Sequence, residues 1–324
     1  MGLAVPVAGA AVASAATAVL EEDVQAELDR LGTVELPPGE IAIRRGLVLP
    51  SHTILRGSGW KTVLRAAPGL TAPLIRLAQR QPAAAEREIQ GCGIESLAIV
   101  GGGTQTGIDY GADSAVVGSN PRSCWIRGVR IERCNAGIAV DFAEGGHITE
   151  CKLIYNGTGI FVGDAASGMQ VTHCDFRHNG YALRVKATRP SNEWLVSGCH
   201  FESNTGTAVS IAGAQCWTFL RCKWEGNGAH VLLDWPTGGN ISLRPDGHQF
   251  IGATFNKTAA GAPGFSANSA THLTLQGCAA SSALGVALSF RAGWGAMLTA
   301  CMIRQGQVVG LPPGSVALPA GLLP

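Results

Sequence analysis

The stretch CDFRHNG at 174–180 has three relatives in the same chain: CHFESNT at 199–205, CKWEGNG at 222–228 and, more loosely, CKLIYNG at 151–157. A cysteine, an apolar residue two positions on and an asparagine five positions on recur at steps of 23, 25 and 23 residues. The column extends through Val129, Cys151, Cys174, Cys199, Cys222, Ala253, Cys278 and Cys301, with one step of 31 residues that predicts an inserted loop. Two residues after each column position stand Ile131, Leu153, Phe176, Phe201, Trp224, Phe255, Ala280 and Ile303.

Around this column the chain repeats apolar-x-apolar doublets: Ile160 and Val162, Leu183 and Val185, Val209 and Ile211, Val231 and Leu233 after the asparagines, and Met169 and Val171, Trp194 and Val196, Trp217 and Phe219 before the cysteines. Period-two alternation over so few residues makes a short strand that buries one face. A unit of this size cannot bury that face alone, but stacked copies can. Three strands per coil, repeated, predict an all-β fold: a parallel β-helix, right-handed as parallel crossovers are, of about nine or ten coils. Cysteine and aromatic residues are then core residues, the thiol packing as a small hydrophobe. Asn156, Asn179, Asn204 and Asn227 are expected at tight turns, in left-handed backbone, with their amides bonded from coil to coil.

The remainder of the chain fits this frame. Net charge is +1, which argues against a nucleic-acid binder. The Ala/Val-rich start is too weakly apolar to span a bilayer, so membrane insertion is not expected. That start, residues 1–20, contains A-x-A patterns but no Lys or Arg before Arg30, so it lacks the basic region of a secretory signal. It is read as a segment that docks on a partner, with signal cleavage as the alternative. The segment EEDVQAELDRLG at 21–32 puts Val24, Leu28 and Leu31 on one helical face, with acidic residues first and Gly32 last, and predicts a helix that caps the open first coil. The solenoid is expected over 33–310, and 311–324 is a tail outside the repeat. The ten cysteines form no paired C-x2-C pattern and are read as reduced thiols; no zinc or other metal is called for, since a linear column cannot converge four ligands on one point.

The stretch DVQAELDRLGTVELPPGEIAI followed by LVLPSHTILRGSGWKTVLRAAPG resembles the N-terminal part of pectate-lyase-superfamily β-helix proteins, which carry a helix, a strand-PPG-strand unit and an LRGxG coil before their repeats. The resemblance covers 22–69 in motif and 90–305 in repeat pattern. That family includes pectate lyases, polygalacturonases, mannuronan epimerases and bacteriophage tail spikes; the DVQAELD lead-in after an Ala-rich segment is most similar to the phage members. The resemblance implies a tail spike or tail fibre in a virion or phage-like particle. It further implies that the protein binds host cell-surface polysaccharide, is homotrimeric and is joined to other tail proteins through the N-terminal segment. A free lyase, hydrolase or epimerase and a purely structural particle component stay open beside it. No clustered N-x-D or D-D aspartates of the polygalacturonase kind occur, and no acidic calcium cluster with an arginine base, so no family catalytic residue is carried over and no cofactor is expected.

Candidate chemistry therefore comes from the strand after each cysteine. Lys152, Asp175, His200 and Lys223 form one outward row and Ile154, Arg177, Glu202 and Glu225 the next. Asp175, Glu202 and Glu225 are the candidate acid and base for glycan cleavage, which needs two carboxyl groups, one protonated and one ionised. Lys152, Arg177, His200 and Lys223 are the candidate binders of an anionic sugar. The alternative is that alternating charges solvate and register a sheet face. A second patch, Asp141, Glu144 and Asp164, falls in turns of adjacent coils, and His147, His173, His178 and His230 are expected in turns or at the surface.

Overall fold

The computed structural model describes residues 20–78, 88–111, 120–234, 245–259, 262–268, 271–284, 287–290, 294–304, 307–310 and 315–317. The segment 1–19, most of 311–324 and the Leu31 side chain lie outside the described residues. The body is a parallel β-helix of three sheets with twelve, eleven and ten strands, every pairing parallel. One coil runs from Trp125–Arg127 in the twelve-stranded sheet to Arg130–Glu132 in the ten-stranded sheet. It continues to Ala136–Asp141 in the eleven-stranded sheet and returns at His147–Thr149. The twelve-stranded sheet exceeds the nine or ten coils read from the repeat. Strands such as Thr33–Glu35 and Ile54–Arg56 stack in register before the cysteine column begins.

The core follows the alternation. Ile131, Leu153, Phe176, Phe201, Trp224 and Phe255 lie in register on successive strands, all without exposed surface. The rings of Phe176, Phe201, Trp224 and Phe255 stack at centroid spacings of 5.1, 5.0 and 5.0 Å. Trp194 on Trp217 and Phe219 on Phe250 stack in the same way at 4.6 and 4.7 Å. Offset stacks of this kind add about 0.5–1.5 kcal/mol per pair to the burial of apolar area.

Each corner of the coil is one residue in left-handed backbone followed by one that faces inward. At the corner entering the ten-stranded sheet, the left-handed residues include Gly128, Glu150, His173, Gly198 and Arg221 at φ of 63°, 55°, 52°, 61° and 51°, and the inward residues are Val129 and the cysteine column. At the corner leaving it, Arg133, Tyr155, His178, Ser203 and Gly226 turn at φ of 56°, 57°, 55°, 53° and 64°. The asparagines are the inward residues here, so the left-handed conformation expected of them belongs to the residue before. At the third corner, Ser123, Gly145, Gly168, Glu193 and Cys216 precede Cys124, Gly146, Met169, Trp194 and Trp217. Gly146 in that column is dictated by a neighbour: a Cβ there would run into the hydroxyl of Tyr110, which donates to the Cys124 carbonyl at 2.8 Å.

The inward asparagines of the corner leaving the ten-stranded sheet are fully employed. Asn156, Asn179 and Asn204 each donate through Nδ2 to the Oδ1 of the next asparagine at 3.1, 3.1 and 2.8 Å, and to the Ile131, Leu153 and Phe176 carbonyls. The backbone N–H of each points to the same Oδ1 at 2.9–3.0 Å. The ladder ends on His230, whose Nδ1 accepts from Asn227 at 3.1 Å while its Nε2 donates to the Asn256 carbonyl. His230 is therefore a core residue, not the turn or surface residue expected. In the cysteine column each Sγ reaches a carbonyl of the coil before and one two residues back, for example Cys174 to Ile148 at 3.5 Å and to Thr172 at 3.4 Å.

The helix Glu21–Leu31 lies against the first strands, burying Val24 and Leu28 and ending at Gly32 with φ 70°. The buried Glu21 carboxylate accepts the backbone N–H groups of Arg44, Arg45 and Gly46 at 2.8–3.0 Å. At the far end of the described chain, Val316–Ala317 pairs with Met297 and Leu298. Among the described residues no helix is long and apolar enough to cross a membrane.

Candidate functional site

Register places Lys152, Asp175, His200 and Lys223 in one row across four strands of the ten-stranded sheet, with Ile154, Arg177, Glu202 and Glu225 in the next. Leu153, Phe176, Phe201 and Trp224 between the rows point into the core and fix the others outward. The structure thus brings all seven candidate residues onto one face, with side chains between 25% and 49% exposed. Ile154 is buried and closes one end of the second row.

The charges alternate closely. Arg177 spans two carboxylates, with Nε 2.7 Å from Asp175 Oδ1 and Nη1 3.1 Å from Glu202 Oε2. Lys223 Nζ lies 2.6 Å from Glu225 and Lys152 Nζ 3.9 Å from Asp175. His200 stands among the three acids, Nδ1 3.9 Å from Asp175 and 3.8 Å from Glu202, Nε2 4.0 Å from Glu225. Its Nε2 is shut off from solvent and makes no hydrogen bond among the described residues. The hydrogen bond from Lys223 holds the Glu225 carboxyl below its usual range, and Asp175 raises the Arg177 guanidinium. Arg177 stands between Asp175 and Glu202, so its guanidinium offsets the repulsion between those two carboxylates.

An aromatic feature that the sequence reading passed over borders these rows. Tyr155 and His178, the left-handed corner residues next to Ile154 and Arg177, are exposed, and their rings stack at 5.1 Å with 9° between planes. The signal was present as two rings 23 residues apart, each just before a ladder asparagine.

The second candidate patch divides. Asp141 and Asp164 meet across one coil, Asp141 Oδ1 accepting the Asp164 N–H at 2.9 Å, whereas Glu144 pairs with Arg122 at 2.7 Å. Asp164 in turn accepts the Thr188 hydroxyl and the Arg189 N–H. Burial pushes the Asp141 carboxyl up; for Asp164 burial is outweighed by the bonds from Thr188 and Arg189, which hold it down. With its oxygens so occupied, Asp164 ties turns together. On the twelve-stranded sheet, Glu95 is similarly enclosed by Trp125 Nε1 at 2.7 Å, Arg56 at 2.9 Å and Arg127 at 3.5 Å. Among the described residues no group of three or more His, Cys, Asp or Glu is placed to hold a metal ion.

This geometry defines a right-handed parallel β-helix protein of the pectate-lyase-like fold. Residues 87–232 match the family described as right handed beta helix region. Among solved structures, the Geobacillus virus E2 protein ORF18 aligns at 14% identity and TM-score 0.68, over 83% of this chain and 53% of that one. The present chain therefore spans about half the length of that viral protein. The polygalacturonase of Erwinia carotovora ssp. carotovora aligns at 11% identity and TM-score 0.61, over 84% and 91% of the two chains. The tailspike gp49 of Acinetobacter baumannii bacteriophage Fri1, a capsular polysaccharide depolymerase, aligns at 12% identity and TM-score 0.55, over 92% and 61%. At these identities the likeness is one of fold. No curated protein matches the chain in sequence.

Proposed function

We propose that this protein is a spike- or fibre-type component of a phage or phage-like particle that binds a polysaccharide of the host cell surface along its ten-stranded face. The observation that carries the reading is the double row of Lys152, Asp175, Arg177, His200, Glu202, Lys223 and Glu225, a linear strip of donors and acceptors on a rigid sheet. Such a strip suits an extended, hydroxylated and partly anionic chain, with Arg177 and Lys223 as the groups that exchange a protein carboxylate for a sugar one. The similarity in fold to a viral protein and to a phage depolymerase supports the reading. In this assembly the chain forms a homotrimer of cyclic symmetry, with residues 1–20 joining other particle proteins. A monomer in light scattering at micromolar concentration would argue against the spike.

The test of binding is a panel of purified bacterial capsular polysaccharides presented to the full chain, with Arg177→Ala and Lys223→Ala as variants. Retention of the unsubstituted protein with loss in both variants is the expected result. Should reducing ends or unsaturated sugars also appear, Asp175, Glu202 and Glu225 are the groups assigned to cleavage. Glu202→Gln then lowers the rate by about two orders of magnitude or more with the fold intact. Unchanged cleavage in both Glu202→Gln and Asp175→Asn leaves the rows as a binding face alone.

A further inference from the structure

We infer that Tyr155 and His178 form a stacking platform for one sugar ring of the bound polysaccharide, seated on His178 over Ser203 and Gly226. This rests on the binding function proposed above and gives it a defined subsite. The corner row beside the charged strip reads Arg133, Tyr155, His178, Ser203, Gly226, one residue per coil. Its two aromatic members stack nearly parallel at 5.1 Å, close to the spacing between strands, so their planes lie across the helix axis. The next two members, Ser203 and Gly226, carry almost no side chain. The aromatic stack therefore stops at His178, and the next two coils present nothing larger than a hydroxymethyl beside it.

The surroundings of that step suit a hydroxylated ring. Glu202 and Glu225 directly precede Ser203 and Gly226 and face outward from the adjoining strand ends, where their oxygens can accept sugar hydroxyls. Tyr181, three residues after His178, lies against the next coil: a Cβ at Gly206 would come within 3.7 Å of its ring, and Arg184 sits 4.5 Å over the ring centroid. A pyranose presents a face of C–H groups with partial positive charge, which is attracted to the negative face of an aromatic ring. An aliphatic side chain at 155 or 178 would bury no less area against such a ring but would lack that attraction. Tyr155 and His178 hold φ of 57° and 55°, a left-handed conformation that any side chain disfavours. Gly226 makes the same turn without that cost, so the turn itself does not call for aromatic residues.

The row supplies its own variants, because Gly226 shows that glycine is accommodated at this position. Tyr155→Gly and His178→Gly remove the rings, and Ser203→Tyr fills the step above His178. The probes are oligosaccharides released from whichever capsular polysaccharide of the panel is retained, titrated against the full chain by calorimetry, with thermal melting as the check on folding. The expected result is a loss of roughly three- to tenfold for each glycine variant, and a loss at least as large for Ser203→Tyr. Binding unchanged in His178→Gly and Ser203→Tyr, while Arg177→Ala abolishes it, overturns the platform and leaves the charged face standing. Absence of binding by the unsubstituted protein to every member of the panel overturns both.

Discussion

His248 occupies the third corner column between Trp217 and Leu273 and is completely enclosed. Its Nδ1 accepts the Trp217 N–H at 3.3 Å and its Nε2 donates to the Ala214 carbonyl at 3.1 Å, a pair of bonds that only the neutral ring protonated at Nε2 can make together. Burial pushes its pKa from 6.5 down to about 4. Between those values the unfolded chain takes up a proton that the folded one refuses. Stability is therefore complete above pH 6.5 and falls as the pH drops toward 4, by about 3 kcal/mol. Urea midpoints at pH 7 and pH 4 measure this, and His248→Gln, which keeps a donor and an acceptor but does not titrate, should shrink the difference. An equal difference in the variant would place the acid sensitivity elsewhere. Tryptophans give a second contrast at this scale. Trp217 Nε1 donates to the Ser191 carbonyl at 2.8 Å, whereas Trp224 Nε1 is buried with no partner among the described residues. Trp217→Phe strands a buried carbonyl and should cost about 2–4 kcal/mol. Trp224→Phe keeps the ring stack and removes an unsatisfied donor, so the expected cost is below about 1.5 kcal/mol. Equal losses in the two variants would contradict this account.

The asparagine ladder ties four successive coils together beside the backbone pairing of the sheets. Asn179 bonds to Asn156, Asn204 and the Leu153 carbonyl at once. Asn179→Ala removes four hydrogen bonds, taking the side-chain partner from the Asn156 N–H and the Leu153 carbonyl while Asn156 Nδ2 and Asn204 Oδ1 each keep one other bond, and should lower stability by about 3–5 kcal/mol. Asn179→Ser, which restores part of the bonding, should lose less. Differential melting in urea separates the two; an alanine variant within about 1 kcal/mol of the parent would mean that water replaces the amide. This ladder and the aromatic stacks were legible in the sequence because inward residues repeat at the coil length and their chemistry is constrained by what they touch. The left-handed residues were not. Their side chains face solvent, so Glu, His, Arg, Ser and Tyr serve as well as the more frequent Gly, and no single residue type marks every turn. The same division runs through the candidate site. Register alone places Asp175 beside His200 and Arg177 beside Glu202. That Arg177 would bridge two acids depends on its side-chain conformation, which spacing does not encode. Tyr155 and His178 escaped notice because a corner position gave no reason to weigh two rings together.

Across the whole molecule, ten cysteines carry free thiols and nine of them are buried. Cys216 alone is exposed; partial burial and then the nearby Asp246 and Glu193 raise its thiol and slow its reaction. Cys134, by contrast, is pushed up to about 12 by burial. Thiol reagent added to the native protein at pH 8 should modify one cysteine per chain, at Cys216, and close to ten after denaturation without reductant. A denatured count near zero would show a paired column, and fast modification of several native thiols would show coils that open. The ladder has one more consequence. Every side-chain amide in it points the same way, carbonyl oxygen toward the N-terminal coil and N–H toward the C-terminal one, so the column is a row of aligned dipoles whose positive end falls at Asn227. His230 meets that end with a lone pair, and burial lowers its affinity for a proton. Protonation there would set a charge against the positive pole and remove the acceptor together. The solenoid is thus electrically one-ended: as the pH falls well below the ordinary histidine value of 6.5, loss of amide-exchange protection should start at Asn227 and travel back through Asn204 and Asn179, never forward from Asn156.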